Sequence, residues 1–284
     1  MLTNDVTLPS QLTILKDKTI DLNGKTLTVP ELTVVDKGAK LTINDSKGSG
    51  TYTCKSGYGF YAKYNGTIVI NGGNFNSLDS VLTGNNTTGN MNFEVNGGTL
   101  TSDRGPTIYM PGQGNLKVTN GTLNGGISAL MGQIEISGGT IVNTNPNNTD
   151  AIDGIVDNEH HYGYNFSGNV WYGSAIALTT GKYTSSDATY GNSLNVKISG
   201  GTIESTMGDA VSIYGLGKTE QNVKVSITGG TFTGNDNDVK FYDLRNEDYV
   251  TIDYKKVNNN NNVTITGGTF KYGMNTSIAA TRDN

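Results

Sequence analysis

The stretch from 143 to 173 gathers side chains that could do chemistry. It opens Asn143-Thr144-Asn145-Pro146-Asn147-Asn148-Thr149-Asp150 and continues through Asp153, Asp157, Glu159, His160, His161, Tyr162, Tyr164, Phe166, Trp171 and Tyr172. Both histidines of the chain and its one tryptophan lie here. Three chemistries suit these residue types. Aspartates with asparagine carbonyls supply the hard oxygen donors that Ca²⁺ takes, and Ca²⁺ is the one cofactor the stretch suggests. Two of Asp150, Asp153 and Asp157 held about 5 to 10 Å apart could cleave a glycosidic bond. His160 beside an acid could act as general base. Trp171, Tyr172, Tyr162, Tyr164 and His161 offer ring faces with polar tips, as a sugar ligand would need. None of these rests on a sharp motif, and no metal is specified. The competing structural reading is a solvated loop whose aromatics pack over the scaffold or against another subunit.

What must position these residues is a repeat. Val263-Thr264-Ile265-Thr266-Gly267-Gly268-Thr269-Phe270 recurs as Val225-Ser226-Ile227-Thr228-Gly229-Gly230-Thr231-Phe232 and as Val196-Lys197-Ile198-Ser199-Gly200-Gly201-Thr202-Ile203. Looser copies surround Gly72, Gly97, Asn120 and Gly138. Alternate apolar residues put one face inward, which is strand periodicity. The Gly-Gly pair is read as a sharp turn, because glycine takes positive φ without steric cost. Corner positions 72, 97, 120, 138, 200, 229 and 267 are separated by 25, 23, 18, 62, 29 and 38 residues. A base period of about two dozen residues belongs to solenoids. Further strands recur between corners, among them Pro106-Thr107-Ile108-Tyr109-Met110 and Asp209-Ala210-Val211-Ser212-Ile213-Tyr214. The 62-residue interval is long enough to predict a further coil plus an insertion. A long loop on such a rigid scaffold is where function usually sits.

On these motifs the chain resembles a right-handed parallel β-helix of the pectate-lyase-like type. More narrowly it is similar to Gly-Gly-Thr-Phe repeat domains of gut Firmicutes surface proteins and phage virion proteins. The resemblance covers nearly the whole chain. It implies an all-β, single-stranded parallel β-solenoid of about ten coils. It implies no single activity, because the fold hosts lyases, hydrolases, adhesins and phage spikes. Asp150-Ala151-Ile152-Asp153-Gly154 resembles the Asp pair of polygalacturonases, but its acids are three apart and no matching downstream His or Arg motif follows.

Composition bounds the rest. The 284 residues include 39 Gly and 34% hydrophobic residues, enough for a narrow solenoid core. A net charge of −5 without a basic run argues against nucleic acid as a partner. No membrane span is evident. The single Cys54 lies in an alternating strand pattern and reads as an inward thiol. Tyr52, Tyr58, Phe60, Tyr61 and Tyr64 form an aromatic cluster that packs inward or meets sugar. Three regions are expected: an N-terminal cap with first coils over 1–50, a β-helix over 51–270 with a long loop near 143–173, and a tail or cap over 271–284. Met1-Leu2-Thr3-Asn4-Asp5 has neither a basic start nor an apolar run. That fits a fragment of a secreted protein or a virion component released by lysis, so the expected place is extracellular, on a virion or bacterial surface. The expected function is non-enzymatic display or attachment, an adhesin-like rod contacting surface glycans or other surface proteins. A carbohydrate-active enzyme and a purely structural homo-oligomer subunit are the alternatives.

Overall fold

The computed structural model describes residues 1–85, 88–144, 173–180, 183–185, 188–190, 194–216, 223–244 and 263–272. These form strands and turns, with no α-helix among the described residues. Two long sheets run the length of the molecule, one of 17 strands and one of 9. A coil gives the first sheet two strands and the second sheet one. Thr51–Cys54 belongs to the first sheet, Phe60–Ala62 to the second, and Gly66–Ile70 returns to the first. Coils pair with one another in parallel throughout the described residues. The one antiparallel pair there, Tyr183–Ser185 with Ala188–Tyr190, lies within a coil's connection. The chain is an all-β parallel solenoid. Among the described residues the nine strands of the second sheet mark nine coils, and Thr269–Phe270 begins the next.

Register turns the sequence repeat into columns. Leu41, Ile68, Phe93, Leu116, Ile134, Val196, Val225 and Val263 stand in one inward column. Tyr52, Phe75, Leu100, Leu123, Ile141, Ile203, Phe232 and Phe270 make another. All but Phe270 are buried, and it stacks on Phe232 with ring centroids 4.9 Å apart. Burying such a side chain contributes about 1.5–3 kcal/mol. A narrow interior therefore needs only the inward half of each strand to be apolar, which reconciles stability with the modest hydrophobic content.

The long interval differs from its expected form. Ile127 pairs with Ile176, Ile134 with Val196, and Thr140 with Thr202. Residues 140–201 are therefore a single coil, with no extra coil inside it. Its surplus length falls in two connections, 144–175 and 181–193. Interval length alone could not separate an added coil from a lengthened corner.

The two glycines of each corner have different reasons. Gly201 has φ +95°, the left-handed region that favours glycine. Gly200 does not, yet a Cβ there would sit 2.4 Å from the carbonyl oxygen of Ser137 in the coil below. The first glycine of these corners is thus required by close stacking and the second by the turn. Gly72 is the exception among first glycines, since a Cβ there would meet nothing nearer than 3.6 Å.

Toward the N-terminus, aspartates tie adjacent coils. Asp5 accepts from Thr26 N at 2.8 Å and Asp17 from Lys40 N at 2.9 Å. Asp45 accepts from Gly24 N at 2.8 Å and Gly50 N at 2.6 Å. Asp21 accepts from Ser46 N and Asn23 N, and the Ser46 amide foremost holds its carboxyl below the usual carboxylate range. Cys54 is buried, with its thiol 3.2 Å from Ser56 Oγ. The aromatic cluster divides. Tyr52 and Phe60 are core residues stacked at 4.2 Å, Tyr61 is half-buried, and Tyr58 and Tyr64 are exposed. At the other end, Tyr272 N donates to Asp238 Oδ2 at 2.7 Å.

The stacking argument separates two Gly→Ala substitutions. Gly200→Ala should destabilise the protein by about 1–3 kcal/mol, the cost of forcing atoms into a packed site. Gly72→Ala should stay within about 0.5 kcal/mol of the parent or exceed it. Denaturant unfolding of both variants measures the difference.

Candidate functional site

Asp150, Asp153, Asp157, His160, His161, Tyr162, Tyr164, Trp171 and Tyr172 all lie outside the described residues. The points where that stretch departs and returns are described. Asn143 Nδ2 donates to Ser174 O at 3.1 Å, and Ser205 Oγ donates to Gly173 O at 2.6 Å. Asn143, Ser174 and Ser205 are all buried. Departure and return are therefore clamped to one corner of the solenoid, between the second strand of the first sheet and the strand of the second sheet.

That corner is braced from the next coils by a buried polar network. Ser212 Oγ donates to Asp209 Oδ2 at 2.8 Å, and Asn237 Nδ2 donates to Asp209 Oδ1 at 2.8 Å. The hydroxyls of Ser174 and Ser212 are 2.5 Å apart. Asp209 is 1% exposed, so its carboxyl oxygens meet these donors instead of water. The neighbouring Asp238 is equally enclosed and accepts from Gly234 N at 3.0 Å as well as from Tyr272 N. The Asn235–Asp238 turn thus directs one carboxylate at backbone amides. Among the described residues no three His, Cys, Asp or Glu side chains are grouped to hold a metal ion.

The outer face of the first sheet is a set of polar ladders. Asn71 Nδ2 donates to Asn44 Oδ1 at 2.8 Å, Asn96 Nδ2 to Asn71 Oδ1 at 3.0 Å, and Thr119 Oγ1 to Asn96 Oδ1 at 2.8 Å. Beside this ladder, Glu94, Lys117, Glu135 and Lys197 occupy one register position in successive coils. Their charges alternate, and Lys197 Nζ lies 3.7 Å from Glu135 Oε1. A shallow groove of about 270 Å³ opens here, lined by Lys117, Glu135, Lys197, Ser137, Ser199, Ser226 and Thr228. It is smaller than a typical small-molecule pocket, and its lining joins hydroxyl, ammonium and carboxylate groups to a larger share of apolar surface. The second sheet offers no comparable surface in coils six to eight. Its outward residues there, Ser128, Ala177 and Ser212, are fully buried.

The same corner edge that bears the insertion carries a second cluster in coils three to five. Arg104 Nε donates to Asp79 Oδ1 at 2.5 Å and Nη2 to Oδ2 at 3.3 Å, a two-pronged pair. Tyr58 stands beside it, and burial foremost, then the Asp79 charge, pushes its phenol above the usual range against the pull of Arg104. From within, the Tyr52 hydroxyl donates to Gly59 O at 2.9 Å and lies 2.9 Å from Thr33 Oγ1. The sequence signal for the Asp79–Arg104 pair was a spacing of 25 residues, one coil.

No family model, curated protein or solved structure matches the chain. What the stacked parallel sheets support is the coarser likeness, a parallel β-solenoid.

Tyr52 gives this edge a pH dependence. Burial raises its phenol well above the ordinary 10.0, so the unfolded chain ionises first. The stability it contributes is complete below pH 10 and is lost as pH rises beyond. Tyr52→Phe should cost about 1–3 kcal/mol at neutral pH, since Thr33 Oγ1 loses its partner. The gap between the two proteins should narrow by about pH 11, which denaturant unfolding against pH would record.

Proposed function

We propose that the chain is a non-enzymatic attachment or display rod of an extracellular surface, on a phage virion (head fibre, decoration or tail-spike type) or a bacterial cell, and that it contacts glycans. The observation that carries this reading is how the outer polar groups of the first sheet are distributed. They run as ladders along the solenoid axis and bond one another, as in Asn44–Asn71–Asn96–Thr119 and Glu135–Lys197. Acid–base catalysis needs groups converging on one reacting atom. A ladder repeated at the coil spacing, about 4.8 Å, instead suits a linear polymer that repeats along its own axis. The groove at Lys117, Glu135 and Lys197 offers such a polymer hydroxyls and both signs of charge. Binding to a rigid face loses little conformational entropy on the protein side, and the locked register supplies that rigidity.

The test is incubation of the purified chain with neutral and acidic polysaccharides, with and without Ca²⁺, following polymer size and bound protein together by gel filtration. Co-elution with polymer of unchanged size is expected. Shortened polymer would overturn the attachment reading in favour of a lyase or hydrolase and direct mutation to Asp150, Asp153, Asp157 and His160. Absence of co-elution with every polymer would remove glycan contact and favour a structural subunit.

A further inference from the structure

Asp79 sits in a cradle built by what its neighbours lack. A Cβ on Gly57 would lie 2.0 Å from Asp79 Oδ2, so the carboxylate occupies the place of a missing side chain. A Cβ on Gly105 would lie 2.7 Å from Asp79 O, so the coil above also closes on this residue. Asp79 N donates to Gly57 O at 2.6 Å and Arg104 N to Leu78 O at 3.0 Å, which fixes the three corners relative to one another. The carboxylate is therefore fixed before any ligand arrives, with the Arg104 guanidinium lying alongside it. Yet the pair is not hidden. The Arg104 side chain is 54% exposed and that of Asp79 23%. Tyr58 and Leu78 expose 41% and 43% of their surfaces at the same corner.

A fork of this kind sets acceptor and donor side by side. One sugar hydroxyl can donate to the carboxylate while its neighbour accepts from the guanidinium. The charges of the fork cancel, so it favours an uncharged polyol over a polyanion. An exposed aromatic next to such a fork adds a flat apolar surface for the C–H face of a pyranose ring. Surface pairs of this type are worth little as stabilisers.

We infer that Tyr58, Asp79 and Arg104 form a subsite for a neutral pyranose unit of a glycan chain, with Tyr58 as the ring platform and the Asp79–Arg104 fork reading two adjacent hydroxyls. This rests on the attachment reading and gives it a place and a ligand class. The three residues come from successive coils, so a glycan seated here runs along the solenoid axis. That direction leads toward the corner between Asn143 and Ser174.

The full chain is titrated with hexasaccharides of β-linked glucose, mannose and N-acetylglucosamine, and with hexagalacturonate, observing the sugars by saturation-transfer NMR and the affinities by calorimetry. At least one neutral hexasaccharide should bind more tightly than hexagalacturonate. Tyr58→Ala and Arg104→Gln should each weaken that binding about tenfold or more, the loss of one anchoring contact. Tyr58→Phe keeps the platform and should stay near the parent. Circular dichroism and thermal midpoints show whether each variant is folded, and Tyr58→Phe and Arg104→Gln carry the test if Tyr58→Ala is not. Neutral-sugar binding unchanged in the folded variants would overturn this subsite and leave glycan attachment to another face. Preference for the acidic hexamer, or polysaccharide co-elution without any hexasaccharide binding, would likewise overturn it. No binding to any glycan, polymer or hexamer, would overturn both readings.

Discussion

How near one coil can come to the next at the Gly-Gly corner governs the whole solenoid. At Gly138, Gly200, Gly229 and Gly267 the space a Cβ would need already holds a carbonyl oxygen of the preceding coil, 2.3 to 2.4 Å away. Only a residue without a side chain lets the strands on either side of the corner keep their hydrogen-bonding distance. The second glycine, at positive φ, then turns the chain so that the next residue pair repeats the pattern. Register follows from this contact, and register is what stacks like residues into columns. The apolar columns inside and the Asn, Glu and Lys ladders outside are two faces of one constraint.

The same geometry divides the molecule into surfaces with different uses. Close stacking leaves the first sheet with a regular polar face, where neighbouring side chains satisfy each other. Corners between the two sheets stack closely too, as at Gly105 and Gly126, but they differ in length from coil to coil, because the chain there can lengthen without disturbing either ladder. The shortest such corner is Gly125-Gly126, both at positive φ, and the corner of the next coil runs from 144 to 175. Polar and aromatic side chains collect along this edge: Tyr58, Asp79 and Arg104 on three coils, then Asn143 and Ser174 where the insertion begins and ends. The buried carboxylate of Asp209, held by Ser212 and Asn237, keeps the scaffold rigid where the insertion joins it.

Much of this architecture was legible in the chain. Alternation in Val196–Ile198 and its copies marked the strands, and Gly-Gly marked the corners. A sharp turn accounts for the second glycine only, because steric contact between coils leaves no trace in one strand's own pattern. The 62-residue interval holds no extra coil, and counting cannot tell a lengthened corner from a turn of the solenoid. Tyr52, Tyr58, Phe60, Tyr61 and Tyr64 read as one cluster until register sent Tyr52 and Phe60 inward and Tyr58 and Tyr64 out. The Asp79–Arg104 fork and the Asp209–Asn237 and Ser174–Ser212 contacts join adjacent coils, a relation that needs the register first. The aspartates and aromatics of 150–172 drew attention by type alone, and they lie outside the described residues.

The most direct measurement is a disulfide across the long interval. Glu135 and Lys197 are register partners, so their Cα atoms lie about one strand spacing apart, within disulfide reach. In a Cys54→Ser background, Glu135→Cys with Lys197→Cys should oxidise to a crosslinked folded protein, and Lys117→Cys with Lys197→Cys, two coils apart, should not. Failure of the first pair to close, or closure of the second, would contradict a single coil over 140–201 and with it the placement of every ladder and corner beyond.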